Sequence, residues 1–164
     1  MKSTFQVSRI DDTKLTDFQI TLKEFKSKVK NLLEILLDMK EIQSSKIFSK
    51  SINKIRFDIS FCNDLTIQQI NKEYRQKDQA TDVITFSLFA DDENSVVVNK
   101  TAELGEIIIS LEHAKMQQQK GFEYELYTLV CHGILHLLGF DHLTKKDYDF
   151  VVNIQNSVLK NMGL

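Results

Sequence analysis

The stretch from residue 122 to residue 138 is apolar almost all the way round when its side chains are placed at helical spacing. A helix without a polar face has to be covered on every side by the rest of the protein. Gly139 follows directly and is placed to end such a helix as a C-terminal cap. The stretch therefore predicts a helix buried in the centre of a domain, with the other elements packed around it.

Three of the four histidines of the chain are grouped at the end of this helix, as His132, His136 and His142. Residues four apart on a helix project from one face, so His132 and His136 are expected side by side. A turn at Gly139 lets the chain bring His142 alongside them. The spacing His-x3-His-x2-Gly-x2-His is that of a metzincin-type zinc site. Three neutral imidazoles with an open fourth position suit a catalytic zinc, which can activate a bound water there.

A single histidine in an apolar helix is more often a hydrogen-bonded core residue than a metal ligand. Three imidazoles buried together without a metal would leave several ring nitrogens in need of separate partners, so we interpret the group as a metal site. His113 has no companion at ligand spacing and is assigned to the surface or to a helix end. Cys131 has apolar neighbours, which favours packing over ligation.

One position departs from the metzincin pattern. The residue after the first histidine is Gly133, whereas a metzincin has a glutamate there that serves as the general base. A peptidase mechanism loses its base by this change, while the metal site is unaffected. The sequence therefore argues for a metal centre with a chemistry other than proteolysis.

The rest of the pattern predicts an α+β fold with a mixed β-sheet of about four strands and helices packed around the central helix. Strands are predicted at residues 5–10, 55–61, 83–89 and 104–110, and further helices at residues 22–37, 64–74, 111–120 and 144–162. Residues 90–103 are expected to form a loop with a hairpin return through residues 96–98. No repeat or linker interrupts the chain, so residues 1–164 are expected to form one domain.

The composition limits the classes of partner. The 164 residues include 21 basic and 23 acidic ones, a formal net charge of -2, so no global positive field attracts polyanions. Nucleic-acid binding would have to come from a local patch, and only Arg9, Arg56 and Arg75 offer a guanidinium for bidentate phosphate contacts. Cys62 and Cys131 lie in apolar stretches and are expected as reduced thiols. Because no stretch resembles a signal peptide or a membrane span, we expect a cytoplasmic protein with no membrane partner.

Three ordered blocks, within about residues 55–147, resemble a known family. They are His-Gly-Ile-Leu-His-Leu-Leu-Gly-Phe-Asp-His at 132–142, Asn-Lys-Glu-Tyr-Arg-Gln-Lys with Thr-Asp-Val-Ile-Thr-Phe at 71–77 and 81–86, and Leu-Gly-Glu-Ile-Ile-Ile-Ser at 104–110. Together they are similar to the YbeY family of bacterial rRNA maturation factors, which are metal-dependent endoribonucleases. Prolines that the family has on either side of the Thr-Asp-Val strand are replaced by Ala80 and Ser87, which affects loop rigidity more than chemistry.

The resemblance implies that His132, His136 and His142 bind one zinc ion per chain and that Arg75 is the family's essential arginine near the cleft, these four forming the catalytic set. It implies single-stranded RNA as substrate, a role in ribosomal RNA processing and ribosome maturation, and ribosomal RNA and ribosomal proteins as partners. The residue chemistry agrees, because a three-histidine zinc keeps its double charge and suits an anionic phosphodiester. Arg75 could clamp the nonbridging oxygens. Nickel fits three imidazoles nearly as well as zinc.

Several smaller roles follow from position. Lys72 and Lys77 flank Arg75 and are expected to supply the local positive patch. Asp141 can either orient a ligand imidazole or cap the following turn, and the sequence leaves both open. Asp82 and Glu106 are candidate helper carboxylates.

Two other functions remain compatible with the sequence. The first is a non-catalytic ribosome-assembly factor with a structural zinc, which would need a fourth protein ligand. The second is a zinc hydrolase for another small substrate, which would need a deep closed pocket. The sequence does not define the general base, the nucleophile, the RNA site that is cut or the oligomeric state, and the first 50 residues carry no assigned motif.

Overall fold

A mixed β-sheet forms one layer of the fold. The computed structural model describes residues 2–9, 15–91 and 97–164. Within them the strands are β1 (Lys2–Arg9), β2 (Lys54–Cys62), β3 (Val83–Ser87), β4 (Val97–Val98) and β5 (Thr101–Ser110). The sheet order is β1-β2-β5-β3, and the short β4 also pairs with β5. Strands β1, β2 and β5 are mutually parallel, whereas β3 and β4 run antiparallel to β5. Strand β3 therefore lies at an edge of the sheet.

Helices connect the strands and cover the sheet. They are α1 (Leu22–Asp38), α2 (Lys40–Gln43), α3 (Asp64–Arg75), α4 (Leu88–Asp91), α5 (Leu111–Gln117), α6 (Phe122–Leu137) and α7 (Lys145–Asn161), with short 3-10 turns at Leu15–Phe18 and Lys46–Ser49. Two of the long helices begin with a reciprocal capping box, formed by Thr21 with Glu24 in α1 and by Thr144 with Asp147 in α7. Asn63 accepts a hydrogen bond from the Thr66 amide and starts α3.

The sheet carries a core on each face. The larger core joins the sheet to α1, α6 and α7, and its buried side chains include Phe25, Leu33, Ile107 and Ile134. A smaller cluster contains Cys62, Ile67, Ile84 and Ile108, and it places α3 on the opposite face. Alternate residues of a strand point to opposite faces, which explains why Ile107 and Ile108 belong to different clusters. The sheet therefore separates α3 from α6.

A β-bulge in β5 is built on a glycine. The pairing of β2 with β5 shifts between Arg56 and Phe57, so that Leu104 is an extra residue in β5. Gly105 follows with a φ of +124°, and a Cβ on it would lie 1.9 Å from the carbonyl oxygen of Phe86. Only glycine fits this position. The bulge lets Leu104 and Ile107 both face the larger core although three positions separate them.

The predicted α+β fold with a mixed sheet is confirmed, with differences at the ends of elements. The strand predicted at 83–89 ends at Ser87, which pairs with Gly105 at the bulge, and the chain continues as α4. The helix predicted at 111–120 ends at Gln117, because Gln118 is extended, with a ψ of 136°. The hairpin return pairs Val97 and Val98 with β5, whereas residues 10 and 96 of the predicted strands lie outside the described residues.

No helix within the described ranges combines the length and the apolar character that crossing a membrane would require.

Candidate functional site

Two turns of the same helix present the first two histidines. His132 and His136 lie in the last part of α6. The residue directly before each of them, Cys131 and Leu135, is buried. Their rings lie 4.5 Å apart, centroid to centroid, and the ring of His142 lies 5.3 Å and 4.9 Å from them. The structure therefore brings the three predicted histidines together.

A Schellman motif turns the chain so that the third histidine can join. The Gly139 amide donates to the carbonyl of His136 at 3.0 Å, and the Phe140 amide donates to that of Leu135 at 2.9 Å. Gly139 has a φ of +88°, the left-handed conformation that this motif requires. The predicted C-terminal cap at Gly139 is therefore present, and it returns His142 toward the helix.

The ligand atoms form a compact group. One ring nitrogen from each of His132, His136 and His142 lies within 4.8 Å of the other two. The Nε2 atoms of His132 and His136 are 2.9 Å apart. Two nitrogens that bind a tetrahedral zinc at about 2.0–2.1 Å lie roughly 3.3–3.4 Å from each other. The two helical imidazoles thus have nearly the separation that a shared ion requires.

Gln155 on α7 sets the proton position on His132. Its side-chain oxygen lies 3.1 Å from Nδ1 of His132, and the residue is buried, with only 8% of its surface exposed. An amide oxygen can only accept, so Nδ1 of His132 carries the hydrogen and donates it. The lone pair then lies on Nε2, the atom that faces His136. This is the outer hydrogen bond that orients metal-binding histidines.

Burial keeps the two helical histidines neutral. It lowers the pKa of His132, and it lowers the pKa of His136 to about 4, with repulsion from the neighbouring His132, His142 and Arg75 side chains as smaller causes of the second shift. Neutral imidazole is the form that binds a metal. At neutral pH both side chains are therefore ready to act as ligands.

Asp141 caps a turn. Its Oδ1 accepts a hydrogen bond from the amide of His142 at 2.7 Å, whereas the same oxygen lies 3.8 Å from Nδ1 of His136. The second distance is beyond a hydrogen bond. The hydrogen bond that the structure shows for Asp141 is therefore this local one, to the amide of the next residue.

The histidines line one side of an open cleft of about 500 Å³. The edge strand β3 also lines the cleft, through Val83, Thr85 and Ser87, and so does Arg75 at the end of α3. Among the described residues no ion pair of Arg75 is present. All four predicted site residues therefore lie in the same cleft.

A family comparison decides the relationship of this chain to known proteins. The family model described as Endoribonuclease YbeY matches residues 10–163. The chain belongs to the YbeY endoribonuclease family.

Relatives within the YbeY family cover most of the chain. A protein named Endoribonuclease YbeY from Staphylococcus carnosus is 39% identical over 131 residues, which are 76% of this chain and 86% of that protein. One of the same name from Bacillus thuringiensis is 36% identical over 156 residues, 92% of this chain and 97% of the relative. The solution structure of TM1509 from Thermotoga maritima has a TM-score of 0.54 and 23% identity, covering 96% of this chain and 91% of that one. It supports the fold.

The two candidate helper carboxylates, Asp82 and Glu106, lie in different clefts. Asp82 lines the cleft, and its Oδ2 accepts a hydrogen bond from Gln117 at 2.8 Å. Glu106 accepts a hydrogen bond from Ser60 and lines a different cleft with Asp58. Within the described residues, Asp82 is the candidate carboxylate that lines the cleft together with His132, His136 and His142.

The expected positive patch is weaker than the sequence suggests. Lys72 pairs with Asp78 at 2.7 Å, so its charge is balanced locally. Lys77 is exposed, and neither lysine lines the cleft. Arg75 is therefore the basic residue that the structure brings to the histidines.

The remaining histidine and cysteine lie apart from the group. His113 on α5 contacts Asp64, with 3.3 Å between its Nδ1 and the carboxylate. Cys131 is buried, and burial raises the pKa of its thiol to about 12, so it stays protonated. Within the described residues, the cluster of potential ligands consists of His132, His136 and His142, without a fourth His, Cys, Asp or Glu.

The contact of Gln155 with His132 was not predicted from the sequence. It joins residues 23 positions apart on different helices. A glutamine on a helix that is otherwise amphipathic has no local signal of such a role. Only the packing of α7 against α6 shows it.

Proposed function

We propose that this protein is a metal-dependent endoribonuclease that cleaves single-stranded RNA during ribosomal RNA processing. The observation that carries the proposal is the convergence of His132, His136 and His142 with Arg75 in one open cleft. Membership of the YbeY family, whose relatives bear the name endoribonuclease, supports RNA as the substrate. The proposal includes a cytoplasmic location, ribosomal RNA and ribosomal proteins as partners, and residues 1–164 acting as one hydrolase domain.

The three histidines would hold one zinc ion per chain. Their donor set fits the group, because all three offer imidazole nitrogens within 4.8 Å of one another and burial favours the neutral form at His132 and His136. Three protein ligands and an open position are typical of catalytic zinc sites, whereas structural sites are closed by four. When bound, the ion supplies a Lewis acid that can polarise a phosphate oxygen or acidify water.

Arg75 would bind the scissile phosphate. Its guanidinium can donate two parallel hydrogen bonds to nonbridging oxygens and can stabilise the negative charge that develops on them in the transition state. Its lack of an ion-pair partner among the described residues leaves those donors for substrate. Because the net charge of the chain is -2, this local charge matters more than any overall field.

The shape of the site favours this function over the two alternatives. A small-molecule zinc hydrolase would bury its substrate in a closed pocket, whereas this cleft is open along the edge strand β3. A structural zinc would need a fourth protein ligand, and no such residue joins the three histidines in the described part of the chain.

Cleavage of a matched pair of RNAs tests the proposal. The metal-stripped protein is supplied with zinc, nickel or magnesium and incubated with a single-stranded RNA or with the same strand annealed to its complement. We expect zinc and nickel to restore internal cleavage of the single strand, and magnesium, which prefers oxygen ligands, to fail. His136→Ala should be inactive, and His113→Ala should remain active because His113 lies outside the group. Zinc-loaded protein that cleaves neither RNA would overturn the proposal.

A further inference from the structure

A large aromatic side chain lies exposed immediately before Arg75. Tyr74 is in the last turn of α3, and 63% of its surface is open to solvent. Leaving a tyrosine exposed forgoes the hydrophobic stabilisation that its burial would give. Exposed aromatic rings on which bases stack are typical of proteins that bind single-stranded nucleic acid.

The ring of Tyr74 is held in place from one side. Its centroid lies 5.1 Å from that of Phe86, and the two rings are inclined by 74°. A neighbour in this edge-to-face arrangement covers at most one face of the tyrosine ring. With 63% of the residue exposed, Tyr74 keeps aromatic surface open to solvent on a side chain that Phe86 contacts.

The open ring lies across the edge strand from the metal cleft. Phe86 alternates on β3 with Thr85 and Ser87, both of which line the cleft. Tyr74 packs on Phe86, whereas its neighbour Arg75 lines the cleft itself. Consecutive Cα atoms are about 3.8 Å apart, so the aromatic ring and the guanidinium are presented from adjoining points of one helix end.

We propose that Tyr74 forms a nucleobase-binding subsite, on which one base of a single-stranded RNA stacks while Arg75 holds a neighbouring phosphate. The inference rests on the proposed endoribonuclease function and adds to it a binding residue and the chemical group that it takes. Stacking on an aromatic face tolerates every base, so the subsite selects for unpaired bases and has little preference for their identity. A base within a duplex has both faces covered, which gives this subsite a direct role in single-strand preference.

Binding of a labelled RNA measures the contribution of the ring. Anisotropy of a short single-stranded RNA is followed in stopped flow with metal-loaded protein, before cleavage occurs. Tyr74→Ala should weaken binding by about 5- to 150-fold, the range for loss of one stacked base. Tyr74→Phe keeps the ring and should bind like the wild type. Leu65→Ala is the matched control, since Leu65 is 65% exposed on the same helix, and it should have no effect.

A series of oligonucleotides, each with one abasic position, separates stacking from a structural effect. Wild-type protein should lose affinity when one particular base is missing, and Tyr74→Ala should be insensitive to that base, because the two losses remove the same interaction. The dependence of affinity on salt should be unchanged in Tyr74→Ala, whereas Arg75→Ala should lower the salt slope by about one phosphate contact.

The outcomes distinguish this inference from the function on which it rests. If wild-type protein cleaves single-stranded RNA but Tyr74→Ala binds it equally tightly, the subsite is refuted and the endoribonuclease remains. The subsite is refuted as well if Tyr74→Phe binds as weakly as Tyr74→Ala, or if no abasic position matters. If wild-type protein neither binds nor cleaves the RNA, both proposals fail.

Discussion

Gly133 lies directly against Ile107, so that helix α6 and strand β5 approach more closely than any other residue at this position would allow. A Cβ on Gly133 would lie 2.7 Å from Cγ2 of Ile107, 2.8 Å from its Cδ1 and 2.9 Å from its Cγ1. The contact explains the departure from the metzincin pattern in physical terms. A side chain after His132 would require either Ile107 or α6 to shift from its place in this contact.

The first prediction is that Gly133→Ala destabilises the protein. Overpacking a core typically costs about 1–3 kcal/mol, and the better helix propensity of alanine offsets about 1 kcal/mol of that. We expect a net loss of up to about 2 kcal/mol in the free energy of unfolding, measured by urea denaturation.

A double-mutant cycle with Ile107→Ala checks the cause. Ile107→Ala alone creates a cavity, yet it removes the three atoms that a new Cβ would meet. Gly133→Ala should therefore cost less in the Ile107→Ala background than in the wild type. Additive effects of the two changes would show that the contact is not the cause.

Elements with a strong local pattern could be predicted from the sequence. The alternation at residues 55–61 and the helical apolar spacing at residues 22–37 are present in β2 and α1, because one face of each element is buried. The histidine cluster was predictable for a similar reason. Its geometry depends on helical spacing and on one glycine turn, both of which are local.

Features that depend on distant partners could not be predicted. Strand β3 ends at Ser87 because its pairing partner Gly105 lies at a bulge, and no residue near Ser87 encodes that limit. The bulge itself depends on the close approach of Gly105 in β5 to the Phe86 carbonyl in the neighbouring strand β3. Gln155 acquires its role only when α7 packs on α6. In each case a contact between remote segments determines the structure.

The second prediction concerns Gln155. Gln155→Ala removes the acceptor from Nδ1 of His132, so the ring loses its orientation and its preferred tautomer. We expect zinc affinity to fall by about 10- to 100-fold, measured by competition with a chelator. Gln155→Glu keeps an acceptor and should retain the affinity. Asn153→Ala, an exposed change on the same helix, is the control; an equal loss there would indicate a general effect on α7.

The third prediction is a pH dependence of stability in the metal-stripped protein. Burial lowers the pKa of His136 from its ordinary value of 6.5 to about 4. Between these values the unfolded state binds a proton that the folded state does not, so stability falls as the pH falls. One such group contributes a slope of at most about 1.4 kcal/mol per pH unit. Urea unfolding from pH 7 to pH 4 should show a smaller slope in His136→Ala; an unchanged slope would contradict the assignment.

The fourth prediction is that His136→Ala loses the metal. His136 projects from the buried part of α6, and without it two ring nitrogens cannot complete the three-ligand site. Elemental analysis should find no bound zinc, and the unfolding temperature should no longer respond to a chelator. His113→Ala should keep one zinc per chain. Full metal content in His136→Ala would remove this histidine from the ligand set.

The last prediction separates the role of Arg75 from that of the metal ligands. Arg75 lines the cleft from the end of α3, on a different element from any of the three histidines. Its loss should therefore leave the fold and the zinc content unchanged. The effect should appear in the catalytic step, where the guanidinium would stabilise negative charge on the phosphate.

Arg75→Ala should lower kcat for single-stranded RNA by about 100- to 1000-fold, the usual cost of losing one such donor. Arg75→Lys should restore only part of the rate, because an ammonium carries the charge without the planar pair of donors. Lys72→Ala is the matched control on the same helix, since Lys72 pairs with Asp78 outside the cleft. Circular dichroism and zinc content are measured in parallel with cleavage. Arg75 is the basic side chain that lines the cleft with the three histidines in the described part of the chain. Near-normal cleavage by Arg75→Ala would therefore contradict its role in binding the phosphate.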